Sequence, residues 1–281
     1  MDGNGTLDLI ETTWGNGALR PMRERGMVGR TMPFILEAFP TFRGYAEATI
    51  DQIYGARLAG VGSYAAATLA HTVFTNDGAG RFTAAPLPIA AQATAAYGIT
   101  TADLDNDGLD DLYLVGNFHG ADHEIMAYSG GVSYWLKGQG DGTFTSVPTA
   151  QSGLFVPYEG RGLAVSDYDQ DGWVDVAVGL NNHAPLLFHN GGVPGHNGLR
   201  IRLAGPVSNP TGVGARVTVT LPDGANTSRE IHAGNGYLSQ DSATLVFGMG
   251  THTQATVTVR WPDGHVTTHQ GAAGQLLMAA P

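Results

Sequence analysis

The chain has 281 residues, a length that predicts roughly two domains and a sizeable core. Hydrophobic residues make up 42% and charged residues 14%, which excludes an ionic disordered tail or a long coiled coil. A formal net charge of -11 argues against nucleic-acid phosphates or an anionic membrane as partners and favours a cationic one.

Glycine, with 41 residues and no three-residue period, predicts many tight turns between short strands, hence an all-β fold. The absence of cysteine removes disulfides, thiolate metal sites and cysteine nucleophiles. No apolar run reaches the ~18 residues of a membrane span, and Met1 is not followed by a basic and then apolar leader, so no signal peptide is expected here.

In chain order, the first element is an acidic turn at residues 2–8 (DGNGTLD), with Asp2, Asn4 and Asp8 as oxygen ligands. It matches a longer, recurring turn from that turn's third position onward, so the chain reads as a C-terminal portion of something longer. Arg20, Arg23, Arg25 and Arg30, broken by Glu24 and lacking interleaved aromatics, predict a solvated loop. Residues 41–74 are Ala-rich, with Ala46, Ile50, Ile53, Tyr54 and Arg57 at helical spacing and Thr41 or Ser63 as caps. They predict one or two helices inserted into a blade, packed on the propeller rim, with a substrate lid as the alternative.

The strongest signal is internal repetition. Of 18 Asp, nine fall in two segments, DLDNDGLDD (103–111) and DYDQDGWVD (167–175), offset by 64. Gly98 precedes the first as Gly162 precedes the second, and β-prone residues 112–116 and 176–179 follow them. A second landmark, DGAGRFT (77–83), returns as DGTFT (141–145), with Phe82 and Phe144 offset by 62. Each unit reads as about four strands, the content of one propeller blade; about three such units are present where a closed ring takes 4 to 8.

After Asn190 the composition turns to linker (GGVPG), and alternation resumes at Leu199, Ile201 and Leu203. VTVTLPDG (217–224) resembles VTVRWPDG (257–264) at an offset of 40, both strands running into Pro-Asp-Gly turns. The expected organisation is therefore a partial β-propeller over residues 1–192 and a small β-sandwich or barrel over 196–281.

The acidic turns carry the chemistry. Hard cations select oxygen, and calcium takes six to eight oxygens. Asp103, Asp105 and Asp107 alternate in a tight loop, Gly108 allows the sharp turn, the Leu109 carbonyl can face inward, and Asp111 closes the set. Asp167, Asp169, Asp171, the Trp173 carbonyl and Asp175 repeat it. An EF-hand would place Glu at its twelfth position, where Leu114 and Val178 stand, so the predicted ion joins two strands of a blade. Magnesium demands octahedral geometry and keeps its waters, and zinc wants His or Cys, so the expected cofactor is Ca²⁺. Four spaced acids occurring twice exceed what mere turn formation requires.

Residues 1 to about 190 resemble FG-GAP or VCBS repeats of the integrin α-type propeller, through the DxDxDGxxD turns and the DGxGxFT segment. The remainder resembles the ASPIC/UnbV domain through Gly214–Val217, Gly236–Gln240, Phe247–Gly250 and Trp261–Gly264, taken in order. Together they resemble bacterial relatives of the cartilage acidic protein family. The resemblance implies a calcium-stabilised propeller, secreted or on the cell surface.

Catalytic signals are few. His119, Asp122, His123 and Glu124 lie in an expected surface loop, and no GxSxG, Walker A or HExxH segment occurs, so no catalytic residue is assigned. Tyr237, Ser239, Gln240 and Trp261 form either a ligand platform or, as the simpler reading, core and cap positions. The sequon at Asn226 informs only in a glycosylating host. The functional expectation is a calcium-binding extracellular module that binds or adheres to a protein or carbohydrate. The alternative is an enzyme or enzyme subunit, of lyase, hydrolase or cyclase type, using the propeller as scaffold.

Overall fold

The computed structural model describes residue 5 and residues 8–120 and 127–281, and it divides into two compact units, 1–69 and 70–281. The first opens with a hairpin, β1 (Thr12–Gly15) and β2 (Ala18–Pro21), turning at Asn16-Gly17. Four short helices follow: α1 (Arg25–Thr31), α2 (Phe34–Ala38), α3 (Phe42–Glu47) and α4 (Ile50–Tyr54). Thr41 caps α3 as expected, accepting from Gly44 N, and Thr49 with Gln52 forms a capping box on α4. Helices this short are marginal alone. They hold because Met32, Ile35, Tyr45, Ile50, Ile53 and Tyr54 bury their side chains against one another.

The helical stretch therefore starts earlier and ends sooner than residues 41–74. A 3₁₀ turn at Gly55–Leu58 closes it, and Thr72–Asn76 is a strand, β3, paired with β4 (Phe82–Pro86). The sequence Thr-Val-Phe-Thr is β-branched and aromatic, and cross-strand pairing prevails there over helical propensity. The arginine stretch is not a plain loop either, since it runs through β2 into α1. Arg23 pairs with Glu11, and the Arg25 guanidinium lies 5.2 Å over the Phe42 ring.

The second unit is built of antiparallel blades. β5 (Ala96–Ala102), β6 (Asp111–Gly116), β7 (Tyr134–Gly138) and β8 (Phe144–Val147) form a four-stranded meander. After a single helical turn, α5 (Thr149–Ser152), a second sheet follows with β9 (Gly160–Ser166), β10 (Asp175–Leu180) and β11 (Leu186–Phe188). β6 is buried along its whole length, as expected of an inner strand covered on both faces. Ala102, Leu104, Tyr113, Val115, Leu163, Val174, Val176 and Val178 make one core between the two blades.

The C-terminal region adds seven strands: β12 (Asn197–Leu203), β13 (Arg216–Thr220), β14 (Asn226–Glu230), β15 (Thr244–Gly250), β16 (Gln254–Arg260), β17 (Val266–Ala272) and β18 (Leu276–Ala279). They form two sheets, β15-β12-β18 and β14-β13-β16-β17. Alternate residues point inward, and Leu199, Ile201, Val217, Val219, Phe247, Met249, Val257 and Val259 fill the space between the sheets. Trp261 belongs to this core and its Nε1 donates to Thr267 Oγ1 at 3.1 Å, whereas Tyr237 is exposed; they do not form a joint platform. The fold is thus all-β with a short helical segment, and among the described residues no sheet closes on itself.

Candidate metal centres

Each acidic turn links the two inner strands of its blade. Ala102 pairs with Asp111 across β5 and β6, and Ser166 pairs with Asp175 across β9 and β10, so the turns leave their sheets in the same register. Their backbones follow the same course. The fourth residue is left-handed in both (Asn106 φ 53°, Gln170 φ 69°), and the sixth has φ 95° at Gly108 and 93° at Gly172, values that favour glycine.

The hydrogen bonds repeat as well. Asp103 accepts from Asp107 N at 3.1 Å and Gly108 N at 2.8 Å; Asp167 accepts from Asp171 N and Gly172 N, both at 3.0 Å. Asp111 accepts from Leu104 N at 3.0 Å and, from the next strand, Gly138 N at 2.9 Å. Asp175 accepts from Tyr168 N at 3.0 Å and Asn190 N at 2.8 Å. Asp107 and Asp171 accept from Leu109 N and Trp173 N, each at 2.9 Å. These bonds shape the loops and leave spare lone pairs on the same carboxylates.

Those lone pairs converge. One carboxylate oxygen from each of Asp103, Asp105 and Asp111 lies within 4.8 Å of the others, as does one from each of Asp167, Asp169 and Asp171. Asp105 Oδ1 is buried with no hydrogen-bond partner among the described residues. A carboxylate oxygen shut away from water without a donor is costly, and an all-oxygen set of this kind suits a hard cation. The residues therefore fit a calcium ion. Burial pushes Asp103 up to about 7, opposed by the Gly108 N–H, and pushes Asp111 up to about 6, opposed by the N–H groups of Gly138 and Leu104. Burial also raises Asp167.

The loops differ in their surroundings. The first is sunk into the C-terminal sheets: His196 Nδ1 donates to Asp105 O at 2.6 Å, Gly250 N to Asn106 O at 2.9 Å, and Thr227 Oγ1 to Gly108 O at 3.0 Å. Arg229 pairs with Asp110. Asn106, fully buried, donates through Nδ2 to Gly172 O at 3.0 Å and so ties the first loop to the second. In the second loop Asp169 and Asp171 are exposed, and Arg200 Nε lies 3.5 Å from Asp167 Oδ2. Two flanking residues that sequence reasoning missed also reach the loops. Lys137 pairs with Asp105 and Asp107, and His189 stands beside Asp169 and Asp175.

Of the partial N-terminal turn, Asp8 is half-buried, and Asp2 and Asn4 lie outside the described residues, as do Asp122, His123 and Glu124. His119 N donates to the buried Glu159, whose carboxylate also accepts from Asn181 Nδ2 at 2.6 Å. Arg161 lies 3.5 Å from Glu159 and stacks 4.1 Å over the Tyr97 ring.

Family models describe the same two parts. One for an FG-GAP-like repeat matches residues 64–114 and 122–178, the segments that hold both acidic loops, and one for ASPIC and UnbV matches residues 205–278. The chain carries FG-GAP-like repeats followed by an ASPIC and UnbV domain. Cartilage acidic protein 1 of Xenopus tropicalis is 31% identical over 121 residues, and that of Homo sapiens 30% identical over 123 residues. Either match covers 42% of this chain and 18% of the relative, so the chain spans only a small part of the relatives' length.

Proposed function

We propose that the chain is a calcium-binding module of extracellular type that binds or adheres to a protein or carbohydrate, with calcium structural in both acidic loops. Asp103, Asp105, Asp107 and Asp111, with the Leu109 carbonyl, would hold one ion. Asp167, Asp169, Asp171 and Asp175, with the Trp173 carbonyl, would hold the other. The observation that carries this reading is the orphaned, buried Asp105 oxygen in a cluster of converging carboxylates. Calcium would supply positive charge to a cluster that otherwise repels itself, coupling ion binding to folding of the blade. A cage of this kind leaves few open positions for a substrate, which favours structure over catalysis.

FG-GAP-like repeats and kinship with cartilage acidic protein 1 support a place outside the cell or on its surface. The division that accompanies this reading assigns residues 1–192 to the blades and 196–281 to the ASPIC and UnbV domain. Calorimetric titration with calcium tests it, using the wild type, Asp105→Ala and Asp169→Ala. Each substitution should abolish one binding event and the matching part of the rise in melting temperature; equal heats in all three proteins reject the reading. A screen of glycans and proteins against the calcium-loaded chain then addresses the partner.

A further inference from the structure

Leu112 of β6 pairs with Leu136 of β7, and Val176 of β10 pairs with Phe188 of β11. Leu112 and Val176 each directly follow the last aspartate of their loop, so Leu136 and Phe188 are structural equivalents. So are the residues after them, Lys137 and His189. The sequence conceals this, because these two are 52 residues apart while the loops are 64 apart. The connection from β6 to β7 is longer than that from β10 to β11.

Both side chains reach the acidic loop of their own blade. Lys137 Nζ pairs with Asp105 Oδ2 and lies 2.9 Å from Asp107 Oδ2. His189 Nδ1 lies 3.3 Å from Asp169 Oδ2 and 3.4 Å from Asp175 Oδ1. An ammonium offers donors only, whereas an imidazole nitrogen can present a lone pair at the same place.

We propose that Lys137 is the resident counter-cation on the third and fifth ligands of the first loop, which a divalent ion must displace, and that His189 puts no fixed cation at the matching place in the second loop, where Arg200 stands 3.5 Å from Asp167 only. One register position thereby makes the two sites unequal. The inference rests on the calcium reading above and adds a competitor to it.

Asp105 and Asp107 stand at the third and fifth ligand positions. An ammonium on both occupies one oxygen of each carboxylate and repels an incoming cation at close range. The same contact gives the loop a positive partner when no ion is bound, so the blade does not depend on calcium alone to hold four carboxylates together. Lysine satisfies the loop only in part, since Asp105 Oδ1 is still without a donor in a side chain that is 8% exposed. A cavity of about 550 Å³, lined by Asp107, Gly108, Leu109, Asp110, Asp223 and His252, borders the outer edge of this otherwise covered loop.

Calorimetric calcium titration and melting curves, with and without chelator, on the full chain and on Lys137→Gln and His189→Lys test the proposal. Lys137→Gln should tighten one site by about tenfold or more and enlarge the calcium-dependent rise in melting temperature. His189→Lys should weaken the other site by a similar factor. A folded Lys137→Gln protein with wild-type affinity at both sites overturns the inference while leaving the calcium reading intact. If Lys137→Gln does not fold without the ion, His189→Lys decides, and unaltered second-site affinity overturns the inference. No calcium heat in any of the three proteins defeats the calcium reading itself.

Discussion

Gly198 of β12 stands opposite Gly248 of β15 in the antiparallel ladder, and each glycine seats one acidic loop. A Cβ on Gly248 would run into the Asp103 carboxylate and the Asn106 backbone; one on Gly198 would run into the Gly172 carbonyl and the Asn106 amide. This end of the β12–β15 pairing is thus bare of side chains where the two blades present their loops. The acidic loops and the contact between blades and C-terminal sheets are one piece of structure.

Gly248→Ala should therefore act on stability and on the first ion site together. Overpacking against fixed backbone typically costs about 1–3 kcal/mol, which predicts a lower denaturant midpoint with an unchanged slope. Calcium affinity at the first site should fall in the same variant, because Asp103 must move. A midpoint equal to wild type would mean that the blades and the C-terminal sheets do not dock as described.

Asn106 is the link between the loops. Replacing it with Ala removes the bond to Gly172 O and leaves that carbonyl without its donor, a loss of about 1–3 kcal/mol in a buried setting. Chemical denaturation of Asn106→Ala should show this loss, whereas Asn226→Ala, on the exposed end of β14, should stay within about 0.5 kcal/mol of wild type.

Ile201 is fully buried between the C-terminal sheets, and Ile201→Ala should cost about 2–5 kcal/mol through lost burial and the cavity left behind. The effect belongs to the sandwich core. Chelator-treated and calcium-loaded protein should lose the same amount, and a loss confined to one of them would contradict the separation of this core from the ion sites.

Asp241 joins the C-terminal domain to the second blade by accepting from Val165 N at 2.7 Å, and it also accepts from Asn235. Burial raises its pKa, against the N–H of Val165, the amide of Asn235 and the charge of Arg229. The cleft around it also holds Asp110, Glu230 and His232. A carboxyl raised on folding binds its proton more tightly in the native state. Its cost is fully present above the raised folded value and is relieved as pH falls toward the ordinary carboxylate range. Asp241→Asn cannot titrate, so the stability of wild type relative to that variant should improve from pH 7 to pH 5. The opposite slope would show that the carboxylate is held in its charged form.

The two acidic loops were legible because their geometry is local. Alternate Asp, a glycine at the sixth position and a closing Asp are what a nine-residue turn needs to aim carboxylates inward, and the same pattern written twice at one spacing marks a repeat. The four strands of the first blade and the alternating strands after residue 196 were legible for a similar reason, the two-residue period of a pleated chain. The short helices α1 and α2 were not, because five to seven residues carry little periodicity and gain their stability from the buried contacts of Met32 and Ile35.

By itself, the sequence determined a β-rich chain with two oxygen-lined turns and a separate strand-rich end, since each of those properties is encoded within a few consecutive residues. Only the tertiary structure decided that Lys137 and His189 share one position, that Asn106 reaches the neighbouring loop, and that Gly198 and Gly248 make the seat beneath both turns. These relations depend on strand register and on approaches between residues far apart in the chain. Connection lengths that differ from blade to blade erase any fixed offset by which they could have been read.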